Sequence, residues 1–187
     1  MEKSSLIRLV DDIADSMSTM LITRVHSSQY LSMQDALSKV GEYIASGSAR
    51  VVFRVGNYAV KIAREGSYGV EDNITEYKVL SHIFSKNEYR NRLAKYFIEP
   101  IHITKNKTIL IVSYVPGVRI YDSGNNRFHY SNYDEILYRN RLQKILSHYG
   151  IKGVLLCDTH ANNVLICHEN KRRVLVDLGH CSVSEHY

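Results

Sequence analysis

One stretch of this chain reads Leu155-Leu-Cys-Asp-Thr-His-Ala-Asn-Asn-Val-Leu-Ile166, and it is the strongest local signal in the sequence. Two short apolar runs, typical of buried strands, enclose a polar loop in which Asp158 and Asn163 are five residues apart. A third apolar run ends in Asp177, and the polar residues 168–171 before it predict a hairpin turn. We expect this hairpin to bring Asp158, Asn163 and Asp177 to the same end.

A second informative stretch lies nearer the N-terminus, where two β-type runs are joined by Gly56-Asn57. Residues 50–55 and 58–63 predict a hairpin, because Gly-Asn suits a tight turn that needs positive φ. Alternation along the second run places Lys61 between two alanines, which leaves room beside it for a ligand. The alternative is a lysine on the exposed face of an edge strand.

The other predicted elements divide the chain into two halves that meet near Pro116-Gly117. A sheet-rich half with one helix is followed by a half with one helix and the hairpin described above. The additional elements are a helix over 73–86 that contains Glu76, a hairpin over 97–104 and 108–115, and a helix from Ser131-Asn132 to Gly150.

Four polar positions follow one another along the chain as in a known signature. Lys61, Glu76, Asp158 with Asn163, and Asp177 resemble the protein-kinase set in order and in local pattern. The Asp-x-His-x-x-Asn form of the loop is closer to aminoglycoside phosphotransferases and to atypical kinases of the ubiquinone-biosynthesis type. The resemblance points to a nucleotide-binding phosphotransferase.

This resemblance covers roughly residues 47–179 and implies an α+β, protein-kinase-like fold. An antiparallel-sheet N-lobe with one C-helix is expected to precede the C-lobe. Because eight residues follow Gly179, the C-lobe is expected to be reduced to a helix plus a hairpin, without the usual large helical part. The expected domains are a helical extension over 1–44, the N-lobe over 45–116 and the C-lobe over 117–187.

The resemblance also assigns roles to single residues. Lys61 is expected to bind the α- and β-phosphates of ATP and to pair with Glu76, with Glu71 as the reserve because helix starts are predicted only to within a few residues. Asp158 is expected to orient or deprotonate the acceptor hydroxyl, with His160 in the same catalytic loop. Two further sets are implied: the Mg2+ ligands Asn163 and Asp177, and nucleotide contacts from Gly47, Ser48, Ser113 and Val115.

The turn at Gly47 departs from the kinase pattern. Residues 47–55 look like the glycine-rich strand–turn–strand, but only the middle glycine is present, and Arg50 stands where another would be. Backbone N–H groups of Ser48 and Ala49 can still contact phosphate. Arg50 is expected either to stack over the nucleotide or to point to solvent. An ordinary hairpin is the alternative interpretation of this segment.

The N-terminal segment is predicted to form two helices. The first covers about 25 residues with Ser4 or Ser5 as its cap, and the second begins at Ser32 with Asp35 in the position of a capping box. Their apolar stripes must pack against another surface. The options are the core, the surface that the missing C-lobe helices usually cover, and a second copy of the chain in a homo-oligomer that pairs through the first helix. The stripes are Leu6, Leu9, Val10, Ile13, Met17, Met20 and Leu21 in the first helix, and Ala36, Val40 and Ile44 in the second.

Composition argues against several other classes. The net charge of +5 is spread over small clusters without an aromatic-interleaved motif, so a nucleic-acid partner is not expected. We find neither a signal peptide nor a bilayer-length apolar run, so we expect a cytoplasmic location and no membrane partner. The odd number of cysteines predicts reduced thiols. The alternative is a zinc site drawn from Cys157, His160, Cys167, His168, His180 and Cys181, although none of these residues form a CxxC pair.

Two functions from different classes remain. The first is an ATP- and Mg2+-dependent phosphotransferase that moves the γ-phosphate to a hydroxyl group, which is expected to belong to a protein because the fold resembles that of protein kinases. The second is a pseudokinase-like binding or inhibitory protein that keeps the fold, with or without nucleotide, and acts through a protein partner. The four polar positions favour the first, whereas the altered glycine turn and the reduced C-lobe favour the second.

Overall fold

The structure is a computed structural model that describes residues 1–15, 27–64, 67–120 and 132–184. The described residues form an α+β fold, as the sequence predicts. They belong to two compact units, the first made of Met1–Tyr77 with Pro100–Tyr114 and the second of Lys78–Glu99 with Val115–Tyr187. The domain boundaries expected at residues 44 and 116 stay predictions.

A five-stranded antiparallel sheet forms the centre of the first unit, in the order β1-β2-β3-β5-β4. Both hairpins that the sequence predicts in this region are present, and Gly56 adopts the positive φ of +61° that its turn requires. The strands are β1 (Glu42–Ser46), β2 (Arg50–Val55), β3 (Tyr58–Ala63), β4 (Pro100–Ile103) and β5 (Ile109–Ser113).

Strand β1 was not predicted, and the assignment of Ile44 to a helix is wrong. Ile44 lies within β1, which pairs with β2 and is the first strand in the order of the described sheet, so it forms an edge. Most side chains of β1 are exposed on both faces. A strand of this kind carries no apolar alternation, which is the pattern by which strands are recognised in a sequence.

Two helices precede the sheet, with bounds that differ from those expected. Helix α1 (Lys3–Asp15) begins before both Ser4 and Ser5, so neither is its cap, and Met17, Met20 and Leu21 lie outside the described residues. Helix α2 (Ser27–Ser38) begins five residues before Ser32, so the capping box predicted there is wrong. Among residues 31–38 of this helix the buried side chains are Met33 and Leu37, whereas Ala36 is half-buried and Val40, which follows the helix, is exposed.

Both N-terminal helices pack on one face of the five-stranded sheet. Leu6 and Val10 of α1 join Met33 and Leu37 of α2 in a single buried cluster with side chains from the strands. Each such leucine contributes about 1.5–3 kcal/mol when fully buried. These helices therefore complete the core of the first unit, which is the first of the options left open by the sequence. The strand residues of the cluster are Val51, Phe53, Val55, Val60, Ile62, Ile109 and Ile111.

Helix α3 (Gly69–Ile83) follows β3 and begins four residues before the predicted Asn73. Its start lies very close to the sheet. A Cβ on Gly69 would overlap the carbonyl oxygen of Ala49 and lie 2.8 Å from Cα of Ala63. Only glycine therefore permits this approach between the helix and the strands.

The second unit contains short strands and one long helix. Helix α5 buries Tyr138, Leu142 and Leu146, and the predicted hairpin forms between β8 and β9. Strands β6 and β10 were not predicted, because neither Gly117–Arg119 nor Ser182–Val183 contains an apolar run. The elements are α4 (Arg90–Leu93), β6 (Gly117–Arg119), α5 (Asn132–His148), β7 (Val154–Leu155), β8 (Val164–Cys167), β9 (Arg173–Leu175) and β10 (Ser182–Val183), with pairing orders β6-β8-β9 and β10-β7.

The end of α5 confirms the stop signal predicted at Gly150. Gly150 has a φ of +65°, and the N–H of Ile151 donates to the carbonyl oxygen of Leu146 at 2.9 Å. The ammonium group of Lys86 donates to the carbonyl oxygens of Tyr149 and Gly150. A cation at this position also interacts favourably with the helix dipole. The predicted cap at Ser131 lies outside the described residues.

Candidate functional site

Lys61 lies in the middle of β3 and is buried, with 5% of its surface exposed. Its ammonium group donates to Oε1 of Glu76 at 2.6 Å. Glu76 belongs to α3 and is completely buried, whereas Glu71, one turn earlier, is exposed. The structure thus pairs Lys61 with Glu76 rather than with Glu71, and the alternative of an exposed lysine on an edge strand is wrong.

Arg50 is a third charged side chain in this group, and the sequence did not place it there. Its guanidinium Nη1 lies 2.5 Å from Oε2 of Glu76 and 3.4 Å from Oδ1 of Asn73, and 5% of the residue is exposed. The expectation that Arg50 points to solvent is therefore wrong. Antiparallel pairing places Arg50 opposite Ala63, and hence on the same face of the sheet as Lys61.

Asn73 connects this charged group to the turn between β4 and β5. Its side-chain amide nitrogen donates to the carbonyl oxygens of Lys107 at 3.0 Å and Thr108 at 3.1 Å. Because Asn73 and Glu76 are three residues apart, they lie on one face of α3. That spacing is the only signal in the sequence that could have added Asn73 to the candidate residues.

Gly47 and Ser48 lie in the turn between β1 and β2, and both are exposed. The turn is closed by a hydrogen bond from the N–H of Gly47 to the carbonyl oxygen of Arg50 at 2.8 Å. Its last residue, Ala49, accepts hydrogen bonds at its carbonyl oxygen from the N–H of Arg64 and the hydroxyl of Ser67. The turn is therefore held against the segment that leads into α3.

Ser113 and Val115 are the remaining residues that were expected to contact nucleotide. Ser113 ends β5 opposite Tyr58, and both Ser113 and Val115 are half-buried. Ser113 belongs to the first unit and Val115 to the second. Their assignment to the nucleotide stays a prediction.

Asp158, His160 and Asn163 share one loop of the second unit. The side-chain amide of Asn163 donates to the carbonyl oxygen of Asp158 at 2.9 Å, and the N–H of Val176 donates to the carbonyl oxygen of Asn163 at 2.9 Å. The first bond closes the loop, and the second connects it to Val176, which follows β9 and precedes Asp177. Asp158, Asn163 and Asp177 thus lie at one end of the β8–β9 hairpin, as the register of its strands implies.

Asp158 combines a left-handed backbone conformation, which Lys107 and Lys171 also adopt, with a side-chain partner in its own loop. Its φ is +56°, in the left-handed region that side chains other than glycine rarely adopt. Its carboxylate oxygen Oδ1 lies 2.9 Å from Nε2 of His160, and the two side chains are 30% and 43% exposed, respectively. Unfavourable backbone conformations of this kind cluster at functional sites, where the surroundings hold them in place.

The tautomer of His160 follows from its second nitrogen. The backbone N–H of Asn162 donates to Nδ1 of His160 at 3.2 Å, so Nδ1 carries no proton in this arrangement. The proton of the neutral ring is therefore on Nε2, which donates it to Asp158. His160 acts here as a hydrogen-bond donor that orients one oxygen of the carboxylate.

Asp177 follows β9 and leads into a turn at Gly179. Its Oδ1 accepts a hydrogen bond from the N–H of Gly179 at 3.1 Å, which orients the carboxylate. No group of three or more His, Cys, Asp or Glu side chains suited to a metal ion occurs within residues 1–15, 27–64, 67–120 and 132–184. Cys157, Cys167 and Cys181 are free thiols.

Comparison with known proteins places this geometry in a family. The model of the ABC1 atypical kinase-like domain matches residues 59–186, about two-thirds of the chain. The chain belongs to this family. Its fold is therefore kinase-like and of the atypical type, which confirms the resemblance found in the sequence. No curated protein matches the chain.

Some of the candidate residues lie inside the region that matches the family, and others precede it. Lys61, Glu76, Asp158, Asn163 and Asp177 lie within it, together with the rest of the second unit. The turn at residues 47–49, Arg50 and the helices α1 and α2 precede it. In the part of the chain that the structure describes, no helix has the length and apolar content needed to cross a bilayer.

Proposed function

We propose that this protein is an ATP- and Mg2+-dependent phosphotransferase that moves the γ-phosphate of ATP to a hydroxyl group on a protein. The observation that supports this most directly is the buried ion pair between Lys61 and Glu76 in a kinase-like domain. Removing an ammonium and a carboxylate from water costs several kcal/mol, and apolar side chains of similar size would be as stable or more stable there. A charged pair at this position is therefore better explained by function than by stability.

Lys61 is the residue that we assign to the α- and β-phosphates. Its ammonium group donates to Glu76, which fixes the direction of the side chain, and the ammonium of a lysine is a point charge that suits phosphate oxygens. Gly47 and Ser48 stand on an exposed turn that the N–H of Gly47 closes, and the backbone N–H groups of Ser48 and Ala49 are the ones that we assign to phosphate oxygens. Ser113 and Val115 complete the proposed nucleotide contacts.

Asn163 and Asp177 fit the ligand chemistry of Mg2+. The amide nitrogen of Asn163 donates to the backbone of Asp158, so the side-chain rotation is set and its oxygen is directed away from that bond. Asp177 is oriented by Gly179. Magnesium takes oxygen ligands, and one or two protein side chains together with phosphate oxygens and water are sufficient. When bound, Mg2+ neutralises charge on the transferring phosphoryl group.

Asp158 is the residue that we assign to the acceptor hydroxyl. His160 donates to Oδ1 and holds the carboxylate in one orientation, which assigns Oδ2 to the acceptor. A carboxylate in this position aligns the hydroxyl and accepts its proton as the oxygen bonds to the γ-phosphorus, while the bond from that phosphorus to the bridging oxygen breaks and ADP leaves. The bond from Asn163 to the carbonyl oxygen of Asp158 maintains the left-handed backbone that presents this side chain.

The test is a thermal shift with ATP, with and without Mg2+, followed by transfer of γ-phosphate to the protein itself and to generic protein acceptors. Ligand at 100 times its Kd stabilises a protein by about 2.7 kcal/mol. We expect Mg2+-dependent stabilisation in the wild type, and loss of transfer in Asp158→Asn and Asp177→Asn. Glu169→Gln is the matched control, because it removes an exposed carboxylate from the other end of the same hairpin.

Each outcome distinguishes between the candidate functions. Transfer that is lost in both aspartate variants and kept in Glu169→Gln supports the phosphotransferase. Stabilisation by nucleotide without any transfer contradicts it and favours the pseudokinase-like binding or inhibitory protein. The absence of both contradicts nucleotide binding itself.

A further inference from the structure

Arg50 contacts the same carboxylate as Lys61, although it comes from a different strand and precedes the region that matches the family. We propose that Arg50 is a positioning residue: it holds Glu76, and through Glu76 it holds Lys61 in the orientation that phosphate binding needs. This inference rests on the proposed function, because a position for Lys61 matters only if Lys61 binds nucleotide.

Strand register explains why two cations can share one carboxylate. Arg50 is opposite Ala63 on β3, and Lys61 is opposite Val52 on β2, so Arg50 and Lys61 are diagonal neighbours on one face. Diagonal neighbours of this kind are about 7–8 Å apart at their backbones. That separation admits one carboxylate between the two side chains, and Glu76 from α3 occupies it.

The two cations take different oxygens of Glu76. Arg50 donates to Oε2 and Lys61 donates to Oε1. The last torsion of a glutamate side chain is broad, so a carboxylate held at one oxygen rotates readily. A contact at each oxygen removes this freedom. Arg50 therefore makes Oε1 face Lys61 before any ligand arrives.

Arg50 also contributes to holding α3 on the sheet. Asn73 contacts Arg50 through Oδ1 and the β4–β5 turn through its amide nitrogen. The close approach of Gly69 to Ala49 attaches the first turn of the helix. The first two turns of α3 are thus attached to β2, β3 and the β4–β5 turn.

The first test measures hydrogen exchange by mass spectrometry without nucleotide. We expect Arg50→Met to increase the exchange rate of the backbone amide hydrogens of residues 70–77 at least tenfold. Arg50→Lys should have an intermediate effect, because lysine keeps the positive charge and lacks the planar guanidinium group. Arg54→Met is the matched control on the same strand: Arg54 is exposed and its Nε donates to the carbonyl oxygen of Gly56. Equal protection of α3 in wild type and both Arg50 variants would overturn the proposal.

The second test separates positioning from a direct contact with phosphate. We expect Arg50→Lys to raise the KM for ATP about tenfold, with a smaller effect on kcat. An effect of this size corresponds to weakening one buried hydrogen bond between charged groups. If Arg50 acts through Glu76, this effect disappears when Glu76→Gln is already present. Losses that add in the double variant would overturn the proposal, because they would mean that Arg50 acts on the nucleotide independently.

The two tests also separate failure of this inference from failure of the proposed function. If the wild type does not bind ATP, the phosphotransferase is excluded, and the exchange measurement alone decides whether Arg50 holds α3. If the wild type binds ATP and Arg50→Lys has the wild-type KM, the positioning role is wrong while the proposed function stands. Arg50→Lys serves in both tests if Arg50→Met does not fold.

Discussion

In the first unit Lys61 and Glu76 are enclosed between a sheet and a helix, whereas in the second unit Asp158 and His160 stand on a loop and remain partly exposed. The first pair is held by charged side chains that contact one another. The second is held by hydrogen bonds between side chains and the backbone of the same short hairpin region. Both groups occur in one kinase-like domain.

This difference shows how each group depends on the rest of the fold. Burial makes the charged group of the first unit sensitive to the loss of any one member, because a charge without its partner is very unfavourable away from water. The loop of the second unit has water as an alternative partner. A substitution there is therefore expected to change function more than stability.

The largest effect on stability is expected from Glu76→Ala. This change leaves Arg50 and Lys61 buried without the carboxylate that both contact, and we expect it to lower the free energy of unfolding by about 3–5 kcal/mol. Urea unfolding measures the change. Glu71→Ala is the matched control on the same helix, where an exposed glutamate is expected to contribute less than about 0.5 kcal/mol. Similar losses in the two variants would contradict the description of a buried charged group.

A smaller loss is expected from Gly69→Ala, which tests how closely α3 approaches the sheet. The added Cβ would overlap the carbonyl oxygen of Ala49, so the helix start must shift, at a cost of about 1–3 kcal/mol. Gly47→Ala is the control in the neighbouring turn, because its Cβ would lie 3.8 Å from the nearest atom. Chemical denaturation measures the free energy of unfolding of both variants. If Gly69→Ala leaves this free energy unchanged, α3 does not approach the sheet as closely as described.

In the second unit, Asn163→Ala tests the bond that supports Asp158. The change removes the donor to the carbonyl oxygen of Asp158, and we expect a loss of about 1–2 kcal/mol in the free energy of unfolding. Asn162 is the adjacent exposed residue of the same type, so Asn162→Ala should be nearly neutral. If both variants unfold at the same urea concentration, the side chain of Asn163 does not stabilise the loop.

The smallest difference is expected between two substitutions of Asp158. Both Asp158→Gly and Asp158→Ala remove the carboxylate and should abolish phosphate transfer. Only glycine adopts a φ of +56° without steric strain, so Asp158→Gly should be more stable than Asp158→Ala by about 1 kcal/mol. Thermal unfolding of the pair measures this difference. Alanine as the more stable variant would argue against a left-handed backbone at this position.

Local patterns were sufficient for much of the fold. The β2–β3 hairpin was predicted because alternation and a Gly-Asn turn lie within a few residues of each other. The β8–β9 hairpin was predicted from two apolar runs separated by the polar residues 168–171. Helix α5 was bounded by Gly150. Elements without a local pattern were missed, such as the exposed edge strand β1 and the short strands β6 and β10.

The candidate site was predictable to a similar extent. Lys61, Asp158 and Asp177 were selected from their neighbours in sequence, and their functional roles stay predictions. The contact of Arg50 with Glu76 was not predictable, because it depends on where α3 lies against the sheet. Asn73 was missed for the same reason, since its partners are the backbone carbonyl groups of a distant turn.

By itself the amino-acid sequence determined the hairpins, the main helices and the order of the polar residues, because each depends on patterns that extend over only a few positions. Tertiary structure alone decided which carboxylate Lys61 contacts, where α1 and α2 pack, and that Arg50 is buried. These outcomes depend on which distant surfaces meet. Burial then determines whether a charge is paired with another side chain or with water.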